Sequence, residues 1–273
     1  MKFHNFREIW GINIEKFRMR VIFLGTGTSQ GVPVVACGCK VCQSTDPKDK
    51  RLRSSVLIQV GNVNLVIDSG PDFRYQMLRE KVTHLEAILL THEHKDHTGG
   101  LDDIRSFNYL SGKPMDVYAE ERVQQALKRE YAYIFAQHKY PGVPEVTLHT
   151  ISVEPFDVAG IRVVPIRLLH HRLPILGFRI GNFAYLTDIK YIFDEEKNKL
   201  IGCRYLVVSG LRKQNHISHF SIDEAIGLIQ EIKPEYGYIT HISHQLGFHS
   251  EVEKELPQGI FLAYDRLAIE CDE

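Results

Sequence analysis

Six consecutive positions, His92 to His97, hold three histidines and two acidic residues. Unpaired charge is costly to bury, so such a cluster needs either solvent or a strongly positive ion. In an extended segment alternate side chains point the same way, so His92, His94 and Asp96 can face one point, and His97 can be brought in by the following turn. Imidazole and carboxylate are preferred ligands of Zn²⁺ and neighbouring divalent ions. The spacing H-x-H-x-D-H therefore predicts a metal site rather than a polar surface turn.

A second group with metal-binding chemistry is the cysteine cluster Cys37, Cys39 and Cys42. The chain has five cysteines, and an odd number with three close together is a poor basis for disulfides. Three thiolates with one imidazole would make a closed tetrahedral zinc site. The cluster therefore favours a metal and a reducing, cytoplasmic location, with three reduced surface cysteines as the alternative.

Composition limits the partners that the chain is expected to have. Its 273 residues are 44% hydrophobic and 25% charged, with a formal net charge of −1. This balance gives no sign of a nucleic-acid-binding or membrane-binding surface, and no apolar run approaches the roughly 20 residues of a membrane span. We expect a small-molecule substrate, no stable nucleic-acid partner and no membrane association. A homodimer is left open.

Strand and helix patterns alternate along the chain. Gly61-Asn62 and Gly181-Asn182 each separate two β-rich runs and predict hairpins. Residues 120–136 predict a helix, and Ser221 with Glu224 has the spacing of a capping box at the start of another. Helices mixed with hairpins favour two mixed sheets flanked by helices over a purely parallel sheet.

The first eighteen residues do not fit this pattern. Strong β pattern begins only after a second methionine, Met19. We therefore expect residues 1–18 to be an N-terminal extension and residues 19–273 to be a single domain. The extension is interpreted as an upstream start or a peripheral segment, with a functional arm anchored by Phe3, Phe6 and Trp10 as the alternative.

The stretch "THEHKDHTGG" resembles the T-H-x-H-x-D-H-x-x-G signature of the metallo-β-lactamase superfamily, and "VIDSG" (66–70), "YLTD" (185–188) and "THISHQ" (240–245) extend the resemblance. The resemblance implies a four-layer αββα sandwich with two divalent metal ions, Zn²⁺, Mn²⁺ or Fe²⁺, where the sheets meet. Asp68 is expected to support the metal loop through hydrogen bonds. His170 is the expected third histidine of the first ion, with His171 as the alternative. The ligands implied are His92, His94 and His170 for one ion, Asp96, His97 and His241 for the other, and Asp188 between them.

A narrower resemblance rests on "GTGTSQGVPVVACGCKVC". It is similar to the phosphodiesterase branch that opens phosphoribosyl 1,2-cyclic phosphate. The resemblance implies a structural zinc held by Cys37, Cys39, Cys42 and His244. It also implies that His219 lies near the metals and donates a proton to the leaving group, against the alternative of a solvated histidine before a helix.

These assignments imply a dinuclear metal-dependent hydrolase. Two close divalent ions supply hydroxide near neutral pH and stabilise charge at phosphorus. A small cyclic or nucleotide-like phosphodiester is the expected substrate, with Asp96, Asp188 and His219 as the catalytic residues. A ribonuclease Z-like endonuclease and a glyoxalase-type thioesterase are the alternatives. Other histidines, including His216 and His249, are expected to have no role in the site, while Arg105, Arg172 and Lys190 are possible phosphate contacts.

Overall fold

The computed structural model describes residues 18–272. The predicted extension therefore lies, except for its last residue, outside the described residues. The strands are β1 (Arg18–Gly25), β2 (Ser55–Val60), β3 (Val63–Ile67), β4 (Ala87–Leu89), β5 (Met115–Ala119), β6 (Val146–Thr150), β7 (Phe156–Val158), β8 (Ile161–His170), β9 (Leu173–Ile180), β10 (Phe183–Leu186), β11 (Tyr191–Ile192), β12 (Tyr205–Ser209), β13 (Tyr236–Thr240), β14 (Ile260–Leu262) and β15 (Ala268–Asp272).

The helices lie between these strands. They are α1 (Phe73–Arg79), α2 (Lys95–Thr98), α3 (Arg105–Ser111), α4 (Glu121–Glu130), α5 (Asp194–Lys197), α6 (Ile222–Ile232) and α7 (His249–Val252), with short 3-10 turns at Pro47–Asp49, Leu101–Ile104, Asn198–Leu200 and Glu253–Glu255. Within the described part of the chain, none is long and apolar enough to span a bilayer.

The strands form two mixed sheets. The first has the order β15-β1-β2-β3-β4-β5-β6, and the second has the order β11-β8-β9-β10-β12-β13-β14 with β7 paired to β8. Buried side chains of both sheets, such as Phe23, Phe178 and Tyr185, form the core between them. The sandwich of two mixed sheets flanked by helices is the predicted fold, and it is confirmed.

Separate apolar clusters attach the helices to the outer faces of the sheets. Phe73 of α1, Phe107 of α3 and Leu127 of α4 pack on the first sheet. Ala225 and Ile229 of α6 pack on the second. These helices therefore cover the outer face of each sheet, which completes the four layers.

Local sequence patterns predict several of the observed element boundaries correctly. Both predicted hairpins form, and Ser221 and Glu224 make the predicted capping box at the start of α6. The helix predicted over residues 120–136 is shorter, because α4 ends at Glu130. Tyr131 then turns inward, and its buried side chain donates a hydrogen bond from Oη to the Thr98 carbonyl at 2.8 Å. This tertiary contact outweighs local helix propensity.

The topology brings the ends of several strands to one edge of the sandwich. Parallel pairing places the carboxyl ends of β3, β4, β5 and β6 together in the first sheet and those of β10, β12 and β13 together in the second. The end of β8 and the beginning of β9 lie at the same edge, since both pair antiparallel with their neighbours. Residues that follow these strands can therefore converge.

Candidate metal centre

The segment after β4 carries the histidine motif and is fixed by Asp68, which follows β3. One Asp68 carboxylate oxygen accepts hydrogen bonds from the Thr91 amide at 2.9 Å and from the Thr91 hydroxyl. The other oxygen lies 2.6 Å from Nδ1 of His97, so Nδ1–H donates to it and Nε2 is directed toward the motif. Asp68 thus lies in the supporting position that the superfamily resemblance implies for it.

Two glycines allow this segment to cross the Asp68 loop closely. A Cβ at Gly70 would lie 2.1 Å from the Asp96 carbonyl oxygen, and one at Gly100 would lie 2.2 Å from the Gly70 carbonyl oxygen. Any larger residue would force the two backbones apart. Gly70 and Gly100 are therefore required by packing beneath the site.

Three histidines form one half of the cluster. His92 Nε2 lies 3.0 Å from His94 Nδ1, and the His170 ring lies 5.1 Å from the His94 ring. His170 Nδ1 is 2.8 Å from the Ser218 carbonyl oxygen and 3.0 Å from that of Asp188, so Nδ1–H donates and Nε2 is free. His171, by contrast, is exposed in the hairpin turn at a φ of 55°. The structure brings His170 to the cluster and leaves His171 outside it.

Four further side chains form the other half. His97 Nε2 lies 3.1 Å from an Asp96 oxygen and 3.2 Å from Asp188 Oδ1. His241 Nδ1 lies 3.1 Å from the same Asp188 oxygen. Donor atoms of Asp96, His97, Asp188 and His241 all lie within 4.8 Å of one another. The seven expected side chains are therefore together at the sheet edge.

Several nitrogens of this cluster are buried without a hydrogen-bond partner. These are His97 Nε2, His241 Nε2 and Nδ1 of the nearby His219. For His97 Nε2 the distances to carboxylate oxygens are those of hydrogen bonds, yet the directions are not. Atoms that approach each other without bonding directly are the arrangement expected around a shared cation. The residues present therefore fit divalent metal ions.

Charge in the site leads to the same conclusion. Burial lowers the pKa of His92, His94 and His241, so these rings are neutral and their lone pairs are available near neutral pH. Burial also acts to lower the pKa of His97, but Asp188, Asp96 and Asp68 outweigh it and raise that pKa well above its usual value. Three carboxylates thus require positive charge at this point. Bound divalent ions would supply it.

The cysteine cluster forms a separate group beside this edge. His244 Nδ1 lies 3.4 Å from Cys37 Sγ, 3.3 Å from Cys39 Sγ and 3.5 Å from Cys42 Sγ. Zinc–sulfur and zinc–nitrogen bonds of about 2.3 and 2.0 Å at tetrahedral angles separate such atoms by about 3.5 Å. The three distances therefore match a tetrahedral zinc site with these four side chains.

The structure also locates residues whose role was predicted less directly. His219 stacks on His241 with ring centroids 4.9 Å apart and packs at a tilted angle against His170 with centroids 4.5 Å apart. Its Nδ1 lies 3.7 Å from an Asp188 oxygen. His216, which was predicted to have no role in the site, lies against His219 at 5.2 Å. Its only signal was its position three residues before His219, which is not a recognised metal spacing.

Two of the three cationic side chains considered as phosphate contacts have other interactions, while Arg172 is exposed in the turn between β8 and β9. Arg105 pairs with Asp102 at 2.6 Å, and Lys190 pairs with Glu224 at 2.7 Å. His249 is buried away from the histidine cluster, with Nδ1 3.1 Å from the Arg51 guanidinium. Sequence reasoning did not identify Glu93 and Arg122, which form an ion pair beside the metal segment.

Comparison with known proteins agrees with the motif. Residues 63–242, about two thirds of the chain, match the family model described as the beta-lactamase superfamily domain. The chain belongs to the metallo-β-lactamase superfamily. The fold of that superfamily implies divalent metal ions.

Individual relatives extend the comparison. A crystal structure of a diphosphatase from the PhnP family superposes with a TM-score of 0.88 at 39% identity, covering 93% of this chain and 98% of that one. An octanoyltransferase of Porphyromonas gingivalis is 44% identical over 258 residues, which are 93% of this chain and 52% of that protein. A ribonuclease Z of Crocosphaera subtropica is 28% identical over 202 residues, covering 72% and 57%. The chain spans about half the length of the curated relatives it matches.

Proposed function

We propose that this chain is a dinuclear metal-dependent phosphodiesterase that hydrolyses a small cyclic or nucleotide-like diester of the phosphoribosyl 1,2-cyclic phosphate type. The observation that carries the proposal is the convergence of seven metal-binding side chains on the edge where the two sheets meet. The similarity over nearly the whole chain to a diphosphatase supports cleavage of a bond to phosphorus.

The proposed assignment of ligands to two ions comes from the superfamily resemblance, and the geometry of the site supports it. His92, His94 and His170 would hold one ion, Asp96, His97 and His241 the other, and Asp188 would lie between them. Bound there, two divalent ions would lower the pKa of water and stabilise charge that develops at phosphorus. Asp68 keeps His97 Nε2 directed at the site, and the Ser218 carbonyl does the same for His170. Cys37, Cys39, Cys42 and His244 would hold a structural zinc.

His219 is the proposed proton donor to the leaving oxygen. Burial lowers its pKa to about 3 despite the nearby Asp188 carboxylate, so the free site holds it neutral. An anionic phosphoryl group beside the ring would favour its protonated form, which would couple the proton to substrate binding. His219→Gln should therefore slow a diester with a poor alkoxide leaving group far more than one with p-nitrophenolate.

Ribonuclease Z activity is the second candidate, because curated relatives of that name match more than half of the chain. The formal net charge of −1 argues against ribonuclease Z activity, because it provides no excess of positive charge for binding tRNA. Octanoyl transfer is the named activity of the Porphyromonas gingivalis relative, of which the matched residues are 52%. An octanoyl thioester is therefore included as a test substrate. We also propose a cytoplasmic location, because three clustered free thiols that could bind zinc are typical of proteins in a reducing compartment.

One experiment separates these classes. The purified protein, loaded with Zn²⁺ or Mn²⁺, is assayed side by side on bis-p-nitrophenyl phosphate, a lactoyl thioester, an octanoyl thioester and a precursor tRNA. We expect metal-dependent hydrolysis of the phosphodiester and little reaction with the others. Faster turnover of either thioester or of the tRNA would overturn the proposal.

A further inference from the structure

The helix α4 contacts the metal-binding segment through side chains that point away from the metal cluster. In the stretch from His92 to Asp96 the proposed ligands alternate with Glu93 and Lys95, which face α4 instead. Arg122, in the first turn of α4, pairs with Glu93, and the last residue of α4 pairs with Lys95 at 2.6 Å. The side of the segment remote from the metal cluster is therefore fixed on one helix.

Arg122 also contacts a second ligand-bearing segment. Its Nη1 donates a hydrogen bond to Glu93 Oε1, and its Nη2 donates one to the Pro174 carbonyl oxygen at 2.5 Å. Pro174 is the second residue of β9 and directly follows the register partner of His170. One guanidinium group therefore holds both segments that carry the three histidines proposed for one ion.

The two segments belong to different sheets. Glu93 follows β4 of the first sheet, whereas Pro174 lies in β9 of the second. A backbone hydrogen bond also joins the segments, because Leu176 N donates to Thr91 O at 3.1 Å. One hydrogen bond alone allows the segments to pivot about it. The second contact, at Arg122, fixes the angle between them.

The ion pair compensates a charge that lies between two ligands. Glu93 Oε2 is buried without a hydrogen-bond partner, so without Arg122 both oxygens of this carboxylate would lack one. A carboxylate in that state is costly, and the backbone beside His92 and His94 would shift to relieve it. The Arg122 and Glu93 side chains are 36% and 23% exposed, so the pair itself contributes little to the free energy of folding.

We propose that Arg122 is a positioning residue that sets the separation of His92 and His94 from His170, and thereby the affinity of these three ligands for their ion. The inference rests on the proposed two-ion centre and names a side chain that controls one of its two sites. Loss of outer support of this kind typically weakens metal binding 10–100-fold.

Metal binding by the purified full-length protein tests the proposal without any substrate. Zn²⁺ is titrated against a competing chelator, and the ions per chain are counted by metal analysis. In Arg122→Ala one ion should bind 10–100-fold more weakly. The other ion, whose ligand His97 is held separately by Asp68, and the structural zinc should keep their native affinity. The melting temperature measured after removal of the active-site ions should change little, whereas a purely structural role would lower it and weaken all the ions together.

Three further variants separate the contacts of Arg122. Arg122→Lys keeps the charge but lacks the fork that reaches two acceptors, so it should also weaken the ion. Glu93→Gln removes the charged partner, should weaken the same ion less, and decides the question if Arg122→Ala does not fold. The double variant of Arg122→Ala and Glu93→Gln should bind the ion no more weakly than Arg122→Ala alone, because both changes remove the same contact.

Glu130→Gln is the matched control, because it breaks the other ion pair between α4 and the metal-binding segment. It should retain native affinity for every ion. Equal affinities in Arg122→Ala and Glu130→Gln, native affinity in Arg122→Lys, or additive losses in the double variant would overturn this inference alone. Failure of the unmodified protein to bind two ions besides the structural zinc would overturn the metal centre and this inference with it. Ion binding without hydrolysis of bis-p-nitrophenyl phosphate would overturn the proposed function alone.

Discussion

Three residues of the metal centre adopt left-handed backbone conformations that disfavour most side chains. Asp68, Asp188 and His241 have φ values of 65°, 56° and 56°, and each directly follows a strand or lies two residues beyond one. Such conformations cost on the order of 1–3 kcal/mol each for residues other than glycine. They turn the chain sharply at the strand ends, which aims the side chains at the site. Because asparagine tolerates this region better than alanine, it is the better substitute at the two aspartates.

Asp188→Asn should reduce phosphodiester hydrolysis by at least about a thousandfold with little change in melting temperature. The amide keeps the backbone conformation but removes the charge between His97 and His241, whose rings lie within 3.2 Å of one carboxylate oxygen. Burial acts to raise the pKa of Asp188, yet His241 and His97 hold it well below its usual range, so the native group is ionised. Steady-state kinetics, metal analysis and thermal melting check this. Near-normal turnover with both ions bound would exclude the proposed role.

Asp68→Asn should weaken metal binding without removing any proposed ligand. The variant loses the charged acceptor for His97 Nδ1–H, so the ring is held less firmly with Nε2 toward the site. Loss of such outer hydrogen bonds typically costs 10–100-fold in metal affinity. Chelator competition followed by metal analysis measures the change. Asp157→Asn, which affects an exposed pair with Arg162, is the control and should retain native affinity; equal affinities in the two variants would contradict the assignment.

At the scale of elements, one short segment after β13 serves both proposed metal sites. His241 faces Asp188, and His244 faces the three cysteines. The segment is also hydrogen bonded to the loop that follows β1, because Ile242 N donates to Thr26 O at 2.9 Å and Thr28 N donates to Ile242 O at 3.1 Å. The cysteine loop thus supports the element that positions His241.

Cys39→Ser should remove one zinc and reduce activity indirectly. A hydroxyl is a poor zinc ligand at neutral pH, and structural zinc binding is coupled to folding, so the variant should melt earlier. Turnover should fall by roughly 10–100-fold, the usual loss when outer support of a ligand is removed. Cys203→Ser also removes a thiol, from a buried position away from the cluster, and should keep its full zinc content. Native zinc content and melting temperature in Cys39→Ser would exclude a zinc site there.

The contrast between local and distant contacts explains what the sequence could predict. Some features depend on residues only a few positions apart and can be recognised in the sequence. These are the ligand motif, the hairpin at Gly61-Asn62 and the Ser221 cap. Arg122 meets Glu93 across 29 positions, and the Ser218 carbonyl meets His170 across 48. Pairings of this kind depend on how β8, α4 and the loop after β12 pack, which no local pattern encodes. The fold could therefore be predicted, but the long-range contacts that support the site could not.

At the scale of the whole molecule, the metal centre joins the two sheets. His92, His94, Asp96 and His97 follow a strand of the first sheet. His170, Asp188 and His241 belong to or follow strands of the second. The same bound ions would hold both sheets at one edge, so their binding would stabilise the packing of the sandwich as well as prepare the site.

Removal of the active-site ions should therefore lower the melting temperature of the whole protein. An ion present at a thousand times its dissociation constant contributes about 4 kcal/mol, which corresponds to roughly 10 °C for a domain of this size. Calorimetry before and after mild chelation, with zinc content measured to show that the cysteine site is still filled, checks this. Restoration by added Zn²⁺ or Mn²⁺ is the control. An unchanged melting temperature after loss of both ions would contradict the proposed link between the sheets.

The pairing of β1 with β15 makes this domain suitable for circular permutation. Arg18 lies opposite Asp272, so the first and last described strands are neighbours. They meet at the edge of the sandwich that carries the Gly61-Asn62 turn, remote from the metal centre. A short linker could join residues 18 and 272, and new termini could be opened at Gly61-Asn62, without cutting any segment that carries a proposed ligand. The same geometry suits the domain to grafting into a host protein as an inserted loop, with its site facing away from the host.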